Sequence, residues 1–243
     1  MNAIPAEPAR VDLSWVLPLY RTAAQLDELV ERIHHASAGL RIRHEIVLVD
    51  DACPEDCGGL ALRKAALDHR LHVLRLPSNR GQDLALRAGL ASSRGEWTVM
   101  LDADLQDPPE AIARLWPLCT PEHDVVFARR TGRYSSAGQR LTSRLYRALA
   151  SRIGGLPRGA CLYAAFNRDV LERINAAAGK NTTLLALIAG ARPRCASVDI
   201  ARSPRHAGTS SYGSLARLRK AMRSLWDLLA MRIAPLPPPK DFR

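Results

Sequence analysis

The sequence predicts an α/β fold with one mostly parallel sheet and helices on both of its faces. Strand and helix patterns alternate along the first two thirds of the 243 residues, and strands that alternate with helices pair in parallel through crossover connections. The strand segments are also nearly continuous in apolar residues, which is typical of strands covered on both faces. A chain of this length buries about 70% of its surface on folding, so the core needs no disulfide or metal support.

Five short apolar runs are predicted to be the strands. They are Val11–Leu17, Glu45–Val49, Leu71–Leu76, Trp97–Leu101 and Asp124–Ala128. Apolar residues at helical spacing predict helices between these runs. The helical segments are Leu26–Ile33, Leu60–Leu67 and Leu84–Leu90. A further helix is predicted to start near Pro108, because proline is tolerated in the first turn of a helix.

Distinctive residue clusters follow four of the predicted strands. The clusters are Pro18–Tyr20, Asp50–Asp51, Asn79–Gln82 and Asp102–Gln106. In open α/β sheets, ligands bind in a crevice outside the carboxyl ends of the strands. The sequence therefore predicts that these clusters meet at one edge of the sheet and form a binding site there.

The acidic cluster after the fourth strand is a candidate metal site. Asp102 and Asp104 point the same way in extended chain, so both carboxylates could reach one hard cation, with Gln106 as a further oxygen ligand. Mg²⁺ favours one or two carboxylates together with substrate phosphates. The alternative is helix capping before Pro108, for which Asp107 is well placed.

Two other clusters suit a nucleotide. The carboxylates of Asp50 and Asp51 could accept hydrogen bonds from a base or a ribose hydroxyl, or could instead cap a helix near Pro54. The Asn79–Gln82 loop opens a helix, and Gly81 permits a close backbone approach to a phosphate at the helix N-terminus. Without the neighbouring clusters, this loop would be an ordinary turn between a strand and a helix.

Charge is the unusual feature of the composition. Lys and Arg number 35 against 24 Asp and Glu, which gives a formal net charge of +11. This excess excludes an acidic disordered tail and favours nucleic acid, an anionic membrane surface or phosphorylated small molecules as partners. Nucleic acid is disfavoured, because aromatic residues make up only 5% of the chain and no known binding motif is present.

Two basic segments carry much of the excess. The stretch from Val125 to Arg168 has no Asp or Glu and nine arginines, which suits phosphate contacts or, alternatively, a solvated helix face. Ser214–Ile233 predicts a basic amphipathic helix that could lie on a membrane surface or pack on the core. No run approaches the roughly 18 apolar residues of a membrane span, and Met1–Arg10 lacks the apolar run of a signal peptide.

The cysteines give no metal pattern. The five are Cys53, Cys57, Cys119, Cys161 and Cys195. Cys53 and Cys57 form a C-x-x-x-C pair, but no second close pair of Cys or His completes the spacing of a zinc site. All five are predicted to be unpaired, which suits a reducing compartment.

In these motifs and their order, the chain resembles inverting family 2 glycosyltransferases with the GT-A fold. The resemblance is greatest to the polyprenyl-phosphate branch, which includes dolichol-phosphate mannose synthase and undecaprenyl-phosphate sugar transferases. The matching segments are V-L-P-L-Y at Val16–Tyr20, V-D-D at Val49–Asp51, N-R-G-Q-D-L-A-L-R-A-G-L at Asn79–Leu90, R-G-E-W-T-V-M-L-D-A-D-L-Q-D-P-P-E at Arg94–Glu110, D-V-V-F-A-R-R at Asp124–Arg130 and R-H-A-G-T-S-S-Y at Arg205–Tyr212. The chain departs from the family at Arg21-Thr22, usually Asn-Glu, and at Gln82, often Lys; both departures bear on the donor.

The resemblance implies a role for each matching residue. The implied nucleotide-sugar site consists of Pro18, Tyr20, Asp50, Asp51, Gln82 and Asp102. The implied ligands of Mg²⁺ or Mn²⁺ are Asp102, Asp104 and Gln106. The implied contacts to the acceptor phosphate are Arg129, Arg140, Arg144, Arg205, Ser210 and Tyr212. Among these residues, Asp104, Arg129 and Arg205 would be catalytic.

The resemblance also implies a domain plan. A flexible N-terminus at residues 1–10 would precede a GT-A domain at residues 11–212. A basic amphipathic helix on the membrane surface would occupy residues 213–234, and a proline-rich tail would follow at residues 235–243.

The implied reaction moves a sugar, with inversion, from a nucleotide-diphosphate sugar to a polyprenyl phosphate at the cytoplasmic face of the membrane, where the protein would be peripheral. A phosphate monoester is largely dianionic at neutral pH, because its second pKa is about 6, and can attack without a strong base.

Two other functions stay open: transfer to a hydroxyl of a glycan or small molecule, and non-catalytic binding of anionic membranes. The sequence does not indicate the donor sugar, its nucleotide or whether a homo-oligomer forms.

Overall fold

A computed structural model describes residues 10–131, 148–177, 179–201 and 214–237. Seven strands form one sheet in the order β3-β2-β1-β4-β6-β5-β7. They are β1 (Leu13–Leu19), β2 (His44–Asp50), β3 (Leu71–Arg75), β4 (Trp97–Met100), β5 (Val125–Thr131), β6 (Ala164–Asn167) and β7 (Cys195–Ala201). Four neighbouring pairs are parallel and two are antiparallel. The predicted α/β fold with a mostly parallel sheet is therefore confirmed.

Helices connect and flank the strands in the described part of the chain. They are α1 (Leu26–Gly39), α2 (Cys57–Ala65), α3 (Gln82–Ser92), α4 (Ile112–Leu115), α5 (Arg168–Ala176), α6 (Leu184–Gly190) and α7 (Ser214–Ile233), and residues 148–154 are also helical. The helix predicted near Pro108 is broken into 3₁₀ turns at Pro109–Ala111 and Trp116–Leu118 around the short α4. Pro117 lacks the N–H that a longer α-helix would need at this point.

Two hydrophobic cores lie on opposite faces of the sheet. In β1, Trp15 and Leu17 belong to the core beneath α1, whereas Val16 belongs to the core that α3 covers. Successive strand residues point to opposite faces, so a strand covered on both sides is apolar at every position. This arrangement explains the continuous apolar runs and confirms the predicted helices on both faces.

The strand register sets the shape of the edge where the strands end. β4 pairs with β1 from Leu13↔Trp97 to Val16↔Met100, and β1 then continues to Leu19. β6 is antiparallel to both β4 and β5, so those two strands run in the same direction. The carboxyl ends of β1, β2, β4 and β5 consequently meet at one edge of the sheet.

The C-terminal helix α7 spans the predicted Ser214–Ile233 and packs one face on the domain. Leu228 and Met231 are buried in the second core, and Asp227 accepts a hydrogen bond from the Thr183 N–H at the start of α6 (2.8 Å). Across the described part of the chain, no helix combines the length and hydrophobicity that a membrane crossing requires.

Candidate active site

Asp102 is the centre of a polar network at the carboxyl end of β4. Its Oδ1 accepts a hydrogen bond from the Gln82 side chain at the start of α3. Its Oδ2 lies 3.2 Å from Nη2 of Arg130, which is on β5. The structure therefore brings together Gln82 and Asp102, as predicted, and adds a third residue that the sequence did not single out.

Arg130 also holds Asp107, which has no solvent exposure. Its Nε donates to Asp107 Oδ1 at 3.0 Å, and its Nη2 donates to Oδ2. The pair is bidentate, a geometry that combines charge with orientation. The 3₁₀ turn that begins at Pro109 has Pro108 at its N-cap position, and Asp107 lies one residue before it.

A strained turn carries the other predicted metal ligands. Leu105 adopts a left-handed backbone (φ 58°), which costs about 1–2 kcal/mol for a residue with a Cβ. Its buried side chain lies in the first core and holds the turn in place. The turn is closed by a hydrogen bond from the Gln106 N–H to Asp104 Oδ1 at 3.1 Å. Leu105 thus positions Asp104 and Gln106 on either side of itself.

The donor set of this turn fits a hard divalent cation. Burial raises the pKa of the Asp102 carboxyl; Arg130 opposes the rise, and the charges of Asp104 and Asp107 add to it. The Gln106 side chain is buried, and among the described residues its Nε2 has no hydrogen-bond partner. The carboxylates of Asp102 and Asp104 and the amide oxygen of Gln106 are the kinds of oxygen ligand that Mg²⁺ and Mn²⁺ take.

Asp50 and Asp51, at the end of β2, are both buried but have different partners. Asp51 accepts hydrogen bonds from the backbone N–H groups of Arg80 (2.7 Å) and Gly81 (2.9 Å). It therefore holds the loop that opens α3 and, through it, Gln82. Asp50 Oδ2 lies 3.2 Å from Nε of Arg75 on the neighbouring strand β3.

The loop after Asp50 contains a disulfide between Cys53 and Cys57. The prediction that all five cysteines are unpaired is therefore wrong, although Cys119, Cys161 and Cys195 are free. The four-residue separation brings the two Cα atoms to 5.7 Å, a usual distance for a disulfide. The loop reverses direction between β2 and α2, and sequence spacing alone does not show this.

The neighbouring arginines of β5 have different surroundings. Arg129 pairs with Asp199 on β7, with Nη2 and Oδ2 2.9 Å apart, and the pair is exposed. Because successive strand residues alternate between faces, only Arg130 reaches the carboxylates at the end of β4. The structure does not bring Arg129 to that cluster, and its role at the acceptor stays a prediction.

The remaining predicted site residues divide into two groups. Pro18 lies in β1, and Tyr20 follows that strand with its ring exposed and the Arg21 guanidinium 5.6 Å from the ring centroid. Apart from Arg129, the residues predicted to contact the acceptor phosphate lie outside the described ranges; these are Arg140, Arg144, Arg205, Ser210 and Tyr212.

Sequence reasoning missed three residues that shape the site: Arg130, Arg75 and Tyr163. The buried Tyr163 hydroxyl donates to the Pro108 carbonyl oxygen at 3.2 Å and so fixes the segment after the acidic turn. The acid-free arginine stretch contains both Arg129 and Arg130. It could not separate Arg130 from Arg129, because that choice depends on how β5 pairs with its neighbours.

Comparison with known proteins identifies the family. The family model for glycosyl transferase family 2 matches residues 14–175, well over half of the chain. The chain belongs to glycosyl transferase family 2. The resemblance stated from the motifs is confirmed.

Relatives and solved structures agree with this assignment. The chain is 33% identical over 235 residues to the undecaprenyl-phosphate 4-deoxy-4-formamido-L-arabinose transferase of Pseudomonas paraeruginosa, covering 95% of this chain and 68% of the relative. The enzyme of the same name from Shewanella sediminis is 32% identical over 229 residues, with 92% and 68% covered.

Two solved GT-A structures share the fold. Glucosyl-3-phosphoglycerate synthase from Mycobacterium tuberculosis, in complex with Mn²⁺, UDP-glucose and phosphoglyceric acid, has a TM-score of 0.65 at 20% identity, with 93% of this chain and 81% of that chain covered. A mannosyltransferase from Pyrobaculum calidifontis, in complex with GDP-mannose and Mn²⁺, has a TM-score of 0.60 at 20% identity, with 93% and 71% covered. The predicted GT-A fold is confirmed.

Proposed function

We propose that this family 2 transferase moves a sugar from a nucleotide-diphosphate sugar to a polyprenyl phosphate of the undecaprenyl type. The observation that carries the proposal is the hydrogen-bonded series Gln82–Asp102–Arg130–Asp107 at the carboxyl ends of the strands. This series joins the start of α3, where Gln82 lies, to β5, where the arginine-rich stretch begins. The names of the relatives supply the acceptor class.

The donor would lie over β1, β2 and the start of α3. Asp50 and Tyr20 would contact the base and ribose, beside Pro18. Asp51 would act through the loop that it holds, since both of its oxygens bind backbone N–H groups of that loop. Gln82 would approach the diphosphate at the N-terminus of α3, where the helix dipole favours negative charge.

Asp102, Asp104 and Gln106 would hold Mg²⁺ or Mn²⁺. When bound, such a cation neutralises the nucleoside diphosphate as it leaves. Arg130 orients Asp102 from β5 and keeps the buried Asp107 paired. The protein thus supplies a preformed acidic turn that does not have to reorganise when the donor arrives.

The acceptor phosphate would attack the anomeric carbon in a single displacement, which inverts its configuration. A dianionic phosphate needs no strong general base, and the chain offers none in the acid-free stretch from Val125 to Arg168. The arginines of that stretch, among them Arg129, Arg140 and Arg144, would neutralise and orient the phosphate, together with Arg205, Ser210 and Tyr212.

A transfer assay tests this function. Purified protein is incubated with radiolabelled UDP-, GDP- or dTDP-sugars, Mg²⁺ or Mn²⁺, and undecaprenyl phosphate in detergent. Label should pass into the lipid, with the anomeric configuration inverted. Undecaprenol, which lacks only the phosphate, is the matched control and should accept none. Equal transfer to undecaprenol, or none to the phosphate from any donor, would contradict the proposal.

The exposed face of α7 supports contact with a membrane surface. Met222, Trp226, Leu229 and Ile233, here called the apolar stripe, recur at intervals of four, three and four residues. Trp226 is 71% and Ile233 is 76% exposed. Arg219 and Arg223 are exposed on the same helix, as is common in helices that lie on anionic lipid. We propose that this stripe docks the protein on the cytoplasmic face of the membrane, next to its lipid acceptor.

Replacement of Trp226 by serine should weaken binding to vesicles of phosphatidylglycerol and phosphatidylethanolamine by about tenfold or more, because one large apolar side chain contributes ~1.5–3 kcal/mol when buried. Co-sedimentation measures the effect. Leu67→Ser is the control, since Leu67 is 91% exposed but lies after α2, away from the stripe. Equal losses in both variants, or no loss in Trp226→Ser, would contradict docking through α7.

A further inference from the structure

We propose that the Cys53–Cys57 disulfide is a thiol–disulfide exchange site, and that its reduction by a dithiol lowers the affinity of the donor crevice for nucleoside diphosphates. The inference rests on the proposed donor site over β1 and β2. Its basis is the position of the disulfide, which lies in the loop directly after Asp50 and begins the helix that follows.

Cys53 connects the disulfide to both sides of the donor crevice. Its backbone N–H donates to Asp50 Oδ1 at 2.9 Å, and its Sγ accepts a hydrogen bond from the Arg21 N–H at 3.1 Å. Arg21 follows Tyr20 at the end of β1. One residue thus holds the Asp50 carboxylate and the loop after β1, so a shift of Cys53 moves two groups that would contact the nucleoside.

The backbone around the disulfide is strained. Arg21, Ala52 and Asp56 all have left-handed conformations, with φ of 56°, 51° and 53°. Left-handed backbone is unfavourable for residues with a Cβ, and above all for Ala52, whose side chain makes no compensating hydrogen bond. Such conformations persist only where the surroundings enforce them, and the covalent link between Cys53 and Cys57 constrains Ala52 and Asp56, which adjoin its two cysteines.

The order of chemical steps follows from burial. Cys57 is fully buried, whereas Cys53 as a residue is 9% exposed, so of the two sulfurs the incoming thiolate would attack that of Cys53. The Cys53–Cys57 bond breaks, a mixed disulfide forms on Cys53, and Cys57 leaves as a thiolate at the N-terminus of α2, where the helix dipole stabilises it. The second thiol of the dithiol then attacks the mixed disulfide and releases Cys53. Two protein thiols and one oxidised dithiol result, which balances the exchange.

Reduction of the disulfide would also change the contacts of Asp50. The reduced loop is free to leave its left-handed conformations, and Asp50 then loses the Cys53 N–H that holds one of its oxygens. Asp50 keeps its contact with Arg75 Nε on the other oxygen, so reduction should weaken nucleoside binding without abolishing it.

Calorimetric titration of the full chain with UDP, GDP and dTDP, each with Mn²⁺, tests the inference. One sample is oxidised; the other is treated with dithiothreitol and desalted under argon. Thiol counting should give three free thiols before reduction and five after it, as the bonded pair is added. Reduction should weaken binding of the preferred nucleotide by about fivefold to thirtyfold, which corresponds to a modest loss of loop order.

Two variants complete the design. Cys53→Ser should bind like the reduced protein and should not respond to dithiothreitol, whereas Cys119→Ser should keep the full response. Equal affinity before and after reduction, or five free thiols in the oxidised sample, would overturn the inference. Absence of binding to every nucleotide in both samples would instead overturn the proposed donor site on which the inference rests.

Discussion

Replacement of Asp104 by asparagine should lower kcat of sugar transfer by about 10²–10³-fold, the usual loss when one group that stabilises the charge of a transition state is removed. Asp104 lies in the strained turn at Leu105, and its carboxylate accepts a hydrogen bond from the Gln106 N–H. Asparagine preserves this shape but removes the negative charge. The affinity for Mn²⁺, measured by titration, should fall with the rate.

The matched control is Asp12→Asn. Asp12 is bound by Arg43 at the opposite edge of the sheet, so this variant makes the same chemical change away from the crevice. It should retain the transfer rate and the Mn²⁺ affinity of the unaltered protein. Unchanged transfer in Asp104→Asn, or an equal loss in Asp12→Asn, would show that the acidic turn is not the metal site.

Replacement of Arg130 by alanine should lower the melting temperature, Tm, more than replacement of Arg129 by alanine or of Arg130 by lysine. It leaves the carboxylate of Asp107 buried, with no solvent exposure, and without its bidentate partner. Removing one member of a buried pair costs about 3–5 kcal/mol. For a chain of this size, each kcal/mol lowers Tm by about 2–4 °C, so Tm should fall by roughly 6–20 °C.

The neighbouring residue provides the control for Arg130. Arg129→Ala removes an arginine from the same strand, but its partner Asp199 is exposed and can be hydrated in its place, so Tm should hardly change. Thermal unfolding followed by circular dichroism measures both variants. Arg130→Lys should fall between them, because it keeps the charge and loses the bidentate geometry. Similar melting temperatures for Arg129→Ala and Arg130→Ala would refute the assignment of Arg130 to the buried pair.

The strands β1 to β5 and the helices α1 to α3 follow from the sequence, because each strand is a short apolar run and each helix has apolar residues at helical spacing. The helix predicted near Pro108 is instead broken around α4. The strands β6 and β7 were not predicted. β6 is the four-residue segment Ala164–Asn167, too short to show a pattern. β7 does alternate between apolar and polar residues from Ala196 to Ile200, and Ala196, Val198 and Ile200 pack on the first core, so the sequence carried a strand pattern there.

The positions of the acidic turn and the crevice were predictable, because residues that directly follow a parallel strand in the sequence lie at its carboxyl end. The choice between Arg129 and Arg130, and the pairing of Cys53 with Cys57, depend on register and loop path. Both are set by tertiary packing, and neither leaves a repeat in the sequence.

The unequal lengths of the strands give the crevice its depth. The central strands β4 and β6 have four residues each, whereas β1 and β5 on either side have seven. By the strand register, β1 continues three residues past its last pair with β4, and β5 continues four residues past its last pair with β6. At ~3.3 Å per residue, these two strands form the walls of a notch about 10 Å and about 13 Å high. Asp102 follows β4 within this notch, and Arg130 reaches it from β5. The depth of this notch is a property of the backbone, so side-chain substitutions can change its lining and charge but leave its walls at the same height.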